Sequence, residues 1–109
     1  IAASFATGTT IFRGLKELTV KESNRLLLIY KNLLNIGVKC SIKKFDLHIH
    51  GNSNLKPGGS TIEHNNDHRI LMAFYISNMI CLKNNKINDK SCVKTSYPRF
   101  FSDLKKLLN

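Results

Sequence analysis

The spacing of apolar residues changes period several times along the chain, and each change predicts an element. "GTTIFRG", residues 8–14, sets Thr10 and Phe12 against Ile11 and Arg13 between two glycines, the pattern of a strand. The period then lengthens. Leu26, Ile29, Tyr30 and Leu33 recur at helical spacing, "TVKESNR" reads as the opening turn of that helix, and Gly37 after Ile36 supplies a left-handed stop. Period two returns in "VKCSIKKF", with Val38, Cys40 and Ile42 inward and Lys39, Ser41 and Lys43 outward. "DLHIHG" repeats it with Leu47 and Ile49, so the two runs predict a hairpin.

"GNSNLKPGGS" is a loop by composition, followed by a short "STIEH" stretch. "NDHRILMAFYISNMICL" is apolar nearly all round; Asn66 or Asp67 can cap it, and Leu71, Phe74, Tyr75 and Met79 are the expected buried stripe. "KIND" predicts a short strand. Pro98 suits the first turn of a final helix, with Phe101, Leu104, Leu107 and Leu108 on one side. The expected order is β-α-β-β-α-β-α, a mixed α/β piece of one domain at most. "IAASFA" reads as the end of a helix already under way, and with no initiator Met the chain is expected to be part of a longer protein.

Apolar residues make up 42% of the 109, enough for a modest core and against a disordered chain. No apolar run approaches the roughly 18 residues of a bilayer-spanning helix. Seventeen Lys and Arg against seven Asp and Glu leave a net charge of +10, which suits an anionic partner such as nucleic acid, an acidic membrane or a phosphorylated small molecule. Many lysines are scattered among asparagines, a pattern that compositional drift in an AT-rich genome also produces. Cys40, Cys81 and Cys92 are odd in number and lack CxxC spacing, and so read as free thiols in a reducing compartment.

Charge becomes informative where it meets helix ends. Backbone N–H groups at a helix start carry about half a unit of positive charge, which disfavours cations there by about 0.3–1 kcal/mol. Yet Lys21 and Arg25 open the first long helix, Arg69 sits in the first turn of the second, and Lys94 lies just ahead of the helix begun by Pro98. An anion bound where these starts converge would reverse the penalty at each. Each feature also has a structural explanation. Thr19 and Glu22 have capping-box spacing, Glu22 and Arg25 an i,i+3 pairing, and Asp67 the position of an N-cap. His64 and His68 are four apart in "HNNDH" but lack the inner Glu of a zinc protease motif, and His48 and His50 have no third ligand nearby, so no metal site is expected. No Walker loop, GxSxG or glycine-rich dinucleotide turn is present.

"GLKELTVKESNRL", "NNDHRILMAF" and "SCVKTSYPRFF", in that order and over nearly the whole chain, resemble the C-terminal part of the 5-enolpyruvylshikimate-3-phosphate synthase family. The sister family acting on a UDP-sugar shares the fold without the DHR helix start. The resemblance implies the two-domain enolpyruvyl transferase fold, an inside-out α/β barrel built of βαβαββ units. Residues 1–109 would then be the C-terminal part of the second domain, with the N-terminal domain outside the chain.

The implied activity is transfer of the enolpyruvyl group of phosphoenolpyruvate to the 5-hydroxyl of shikimate 3-phosphate. It releases phosphate and uses no cofactor, no nucleic acid and no membrane, in the cytoplasm or, with the N-terminus missing, a plastid. Implied substrate-binding residues are Lys21, Arg25, His68, Arg69 and Lys94, and implied catalytic residues are Glu22 and Lys94. Glu22 would move the proton of the phosphoenolpyruvate methylene carbon, and Lys94 would protonate the departing phosphate. Asn24 stands where most members carry Asp, and "KTSYP" has one more residue before proline than the "KTFP" of some members. The rival reading is a small basic nucleic-acid-binding module, which leaves Glu22 between Lys21 and Arg25 without a role. The chain alone is expected to be inactive.

Overall fold

In the computed structural model of the protein, residues 1–54 and 58–109 are described; Leu55 to Pro57, within the stretch read as a loop, lie outside the described residues. β1 (Gly8–Phe12) and β2 (Lys39–Lys43) flank β3 (Asp46–Gly51) in an antiparallel sheet of order β1-β3-β2. The expected hairpin is β2–β3, with Lys43 opposite Asp46 and Lys44 in the left-handed region at φ 56°. Cys40, Leu47 and Ile49 are buried together on one face. Burial also pushes the Cys40 thiol up to about 11, which makes it an inert core residue.

A short helix, α1 (Ala2–Phe5), packs on β3. Its approach explains Gly51: a Cβ there would stand 2.2 Å from the Ala6 carbonyl oxygen and 2.5 Å from that of Ala3.

α2 (Arg25–Asn35) lies over β2 and contributes Leu26, Leu28 and Leu33 to the main core, each about 1.5–3 kcal/mol of burial. It ends in a Schellman motif. Gly37, at φ 98°, donates its N–H to Leu34 O, and Val38 donates to Leu33 O, so two orphan carbonyls are satisfied.

The start of α2 corrects the sequence expectation. Lys16–Val20 form a 3₁₀ turn in which the Thr19 hydroxyl donates to Lys16 O at 2.7 Å, so Thr19 caps nothing in α2. The cap is Asn24, whose Oδ1 accepts the Leu27 N–H at 3.1 Å. Lys21 and Glu22 therefore precede the helix, and no capping box forms. Asn and Asp rank together as N-caps, so the Asn24 departure costs the helix little.

β4 (Thr61–Ile62) and β5 (Lys86–Ile87) pair in parallel, with α3 (His68–Ser77) between them in sequence. α3 is apolar nearly all round because it serves two cores. Ile70 and Phe74 face the sheet and α2, whereas Leu71 faces Val93 and Phe100. Its buried set is thus Ile70, Leu71, Phe74 and Ser77, which keeps Leu71 and Phe74 of the expected stripe but not Tyr75 and Met79. Tyr75 is only half-buried, and Met79 lies beyond the helix end and is exposed. The chain turns there because Asn78 Oδ1 accepts the Asn85 N–H at 2.9 Å.

The end of the chain holds two helices instead of one, α4 (Ser91–Ser96) and α5 (Phe100–Leu108). Pro98 sits in the connection, two residues before α5. Phe100 is buried and Phe101 and Leu104 partly so, but Leu107 and Leu108 are exposed, so the expected stripe stops halfway along the helix. The observed order is α-β-α-β-β-β-α-β-α-α, apart from the 3₁₀ turn.

Candidate functional site

The starts of α2 and α3 meet, and one buried carboxylate joins them. Asp67, the N-cap of α3, accepts the Arg69 N–H on Oδ1 at 3.1 Å. On Oδ2 it accepts Arg25 Nε at 2.8 Å and the Ser23 hydroxyl at 2.7 Å. Arg25 is the first residue of α2 and donates its Nη2 to Glu22, one turn of chain earlier. Asp67 is fully buried and Arg25 nearly so, while the Glu22 side chain is 56% exposed. Arg25 thus has its Nε toward the interior and Nη2 toward the surface, with a carboxylate at each.

Burial alone would raise the Asp67 pKa, but the hydrogen bonds from Arg25 and Ser23 outweigh it and hold the carboxyl below its ordinary range. The Asp67 hydrogen bond likewise raises Arg25 above its ordinary value. Both groups are therefore charged wherever the protein is folded near neutral pH. Removing Arg25 would leave Asp67 buried without its cation, and removing Asp67 would leave Arg25 Nε buried and unbonded with Glu22 at its outer edge, changes worth about 3–5 kcal/mol in comparable pairs.

The remaining residues named from sequence are held by fewer contacts. Lys21 is exposed, its Nζ 3.9 Å from Glu17. His68, half-buried, and Arg69, exposed, form the first turn of α3 immediately after Asp67. Arg69 and Lys94 make no ion pair among the described residues. Lys94 departs from expectation: it lies in the last turn of α4, not at a helix start. The dipole there favours a cation, so its placement carries no penalty. α4 is a helix of its own because Asp89 Oδ1 accepts both the N–H and the hydroxyl of Ser91, closing a turn at its start. Two basic helix starts converge rather than three, and the anion between them includes the protein's own Asp67.

Sequence reasoning missed Ser23, Asp67 as an ion-pair partner, and His64. His64 is buried, accepts the Asn66 N–H on Nδ1 at 3.1 Å, and stands 2.6 Å from Asn88 O through Nε2. It precedes two residues in the left-handed region, Asn65 at φ 48° and Asn66 at φ 57°, that deliver Asp67 to the junction. The two adjacent asparagines are the signal, because Asn tolerates that region better than most residues. Among the described residues, no three His, Cys, Asp or Glu side chains are grouped to hold a metal ion, and no helix is long and apolar enough to cross a membrane.

The family model for EPSP synthase (3-phosphoshikimate 1-carboxyvinyltransferase) matches residues 1–104. The chain belongs to the EPSP synthase family. Among its curated relatives, the 3-phosphoshikimate 1-carboxyvinyltransferase of Methylobacterium sp. (strain 4-46) is 41% identical over 98% of the chain and 24% of the relative. That of Methylobacterium radiotolerans is 38% identical over the same shares. A solved EPSP synthase from Acinetobacter baumannii superposes with a TM-score of 0.88 at 30% identity, covering 96% of this chain and 25% of that one. The mixed α/β arrangement is thus part of the enolpyruvyl transferase fold. The chain spans about a quarter of the length of the curated EPSP synthases it matches.

Proposed function

We propose that the chain is the C-terminal part of the second domain of an enzyme that transfers the enolpyruvyl group of phosphoenolpyruvate to the 5-hydroxyl of shikimate 3-phosphate. The observation that carries this reading is the junction of the α2 and α3 starts. Glu22 is exposed and held against Arg25, which a buried Asp67 fixes from behind, with Arg69 on the adjoining turn. Phosphoenolpyruvate brings a carboxylate and a phosphate. Arg69, exposed, can offer a planar fork to one of them and Arg25 the guanidinium N–H groups that Asp67 and Glu22 leave free, whereas Lys21 and Lys94 act as point charges. His68 lines the same turn.

The chemistry needs a proton donor that becomes a proton acceptor. The methylene carbon of phosphoenolpyruvate gains a proton as the 5-hydroxyl attacks the neighbouring carbon, and the hydroxyl proton passes to solvent or to a base in the remainder of the enzyme. The tetrahedral adduct then loses a methyl proton as the carbon–oxygen bond to phosphate breaks. Glu22, the exposed carboxylate at the junction, serves both steps. Lys94 protonates the departing phosphate. No step requires a cofactor.

The remainder of the enzyme supplies the rest of the shikimate 3-phosphate site, so the chain alone is inactive. The test is phosphate release by the full-length protein given phosphoenolpyruvate and shikimate 3-phosphate. Release that requires both substrates is expected; release from phosphoenolpyruvate alone, or none, would overturn the assignment.

A further inference from the structure

We propose that His64 is a positioning residue for this reaction, a tether that sets α4 and its Lys94 against the start of α3 and its Arg69; the proposal rests on the function given above. A carbonyl oxygen only accepts and a backbone N–H only donates. The contacts with Asn88 O at 2.6 Å and the Asn66 N–H at 3.1 Å therefore put the imidazole proton on Nε2 and leave Nδ1 bare. One ring thus holds two segments. Through Nδ1, and through its own carbonyl, which accepts the Asp67 N–H at 2.8 Å, it shapes the left-handed turn at Asn65 and Asn66. Through Nε2 it grips the residue that follows β5 and leads, by way of Asp89 and Lys90, into α4.

The grip falls where other constraints end. The parallel pairing of β4 and β5 stops at Ile62 and Ile87, and the Leu71–Val93 contact begins one helical turn into α3. Between them the start of α3 and the approach to α4 are joined by His64. Lys94 adjoins Val93 and Arg69 precedes Leu71 by two residues, so slack at His64 changes the separation of two cations that share one ligand with two anionic groups. A misplacement of about 1 Å at such a site can cost a hundredfold in rate.

Two substitutions separate the two bonds. His64→Asn puts an amide oxygen where Nδ1 stands and keeps the turn, but does not reach Asn88. His64→Gln puts an amide N–H where Nε2 stands and keeps the tether. In the full-length enzyme, steady-state kinetics should give His64→Asn a KM for phosphoenolpyruvate about tenfold higher, equivalent to about 1.4 kcal/mol. The KM for shikimate 3-phosphate should be little changed, and His64→Gln should restore wild-type values.

Equal kinetics in all three proteins, or a His64→Gln enzyme as impaired as His64→Asn, would overturn the proposal. Loss of cooperative melting in His64→Asn would make His64 a folding residue and overturn it too. Failure of the function itself is distinguishable, because the wild-type enzyme would then show no two-substrate phosphate release before any variant is made.

Discussion

The start of α2 and the end of the chain both carry cations that a linear reading assigns to one task, yet the fold treats them oppositely. At the junction, Arg25 is buried, fixed by Asp67, which the Ser23 hydroxyl also bonds, and costly to disturb. Across α4 and α5, Lys94 is exposed, Arg99 pairs with Asp103 at 3.3 Å on the surface, and Leu107 and Leu108 face outward. A buried ion pair fixes geometry because each partner is penalised for leaving, while a surface pair of the Arg99–Asp103 kind contributes about 0–1 kcal/mol. The junction is therefore a rigid frame on which the exposed carboxylate Glu22 and the arginine of the next turn can be aimed. The C-terminal helices depend on packing against α3, and Lys94 on that packing in turn.

The contrast can be broken most sharply at Glu22. In the full-length enzyme, Glu22→Gln should lower kcat by about 10²–10⁴-fold while the substrate KM values change little. Normal turnover in that variant would leave the junction a purely structural device. Next in size is Asp67→Ala, expected to cost about 3–5 kcal/mol in a urea titration because it leaves the inward edge of Arg25 buried and unbonded. A loss below 1 kcal/mol would put the junction on a par with the C-terminal surface.

Acid titration gives a third measurement. The folded Asp67 pKa lies below its ordinary value, so its contribution is complete at neutral pH and is lost as pH falls from about 4 through the depressed value. Asp67→Asn should accordingly be less stable at neutral pH and show a flatter stability curve below about pH 4.

Two smaller effects sharpen the comparison, one from each region. Arg69→Lys keeps the charge but loses the fork, and should raise the KM for phosphoenolpyruvate by about tenfold, or about 1.4 kcal/mol. Its melting temperature should not move, because the side chain is exposed. Leu107, 84% exposed, should tolerate Ala within about 0.5 kcal/mol by denaturant titration. A larger loss would mean that α5 is buried against something beyond its own chain.

Much of this was legible residue by residue. The β2–β3 hairpin, the inward set Val38, Cys40, Leu47 and Ile49, the left-handed Gly37 and the α/β class all follow from period and turn chemistry, which act over neighbours in sequence. The family motifs were legible for the same reason, since "VKESNR" and "NDHR" are short and contiguous. Asn24 as the cap of α2 was available but obscured by Thr19, a residue of similar preference five positions earlier.

What the sequence by itself determined, then, is the set of strands and helices bounded by strong local signals, and the identity of the charged residues gathered near helix starts. The tertiary structure alone decided which of those charges meet. The Arg25–Asp67 pair spans 42 residues of chain and His64–Asn88 spans 24. Partners so far apart find each other only when helix packing removes water from between them, because an exposed pair is worth too little to hold long side chains together. The same packing gave the two apolar sides of α3 separate cores to fill, and gave Asp67 its second role as the buried counter-charge between two helices.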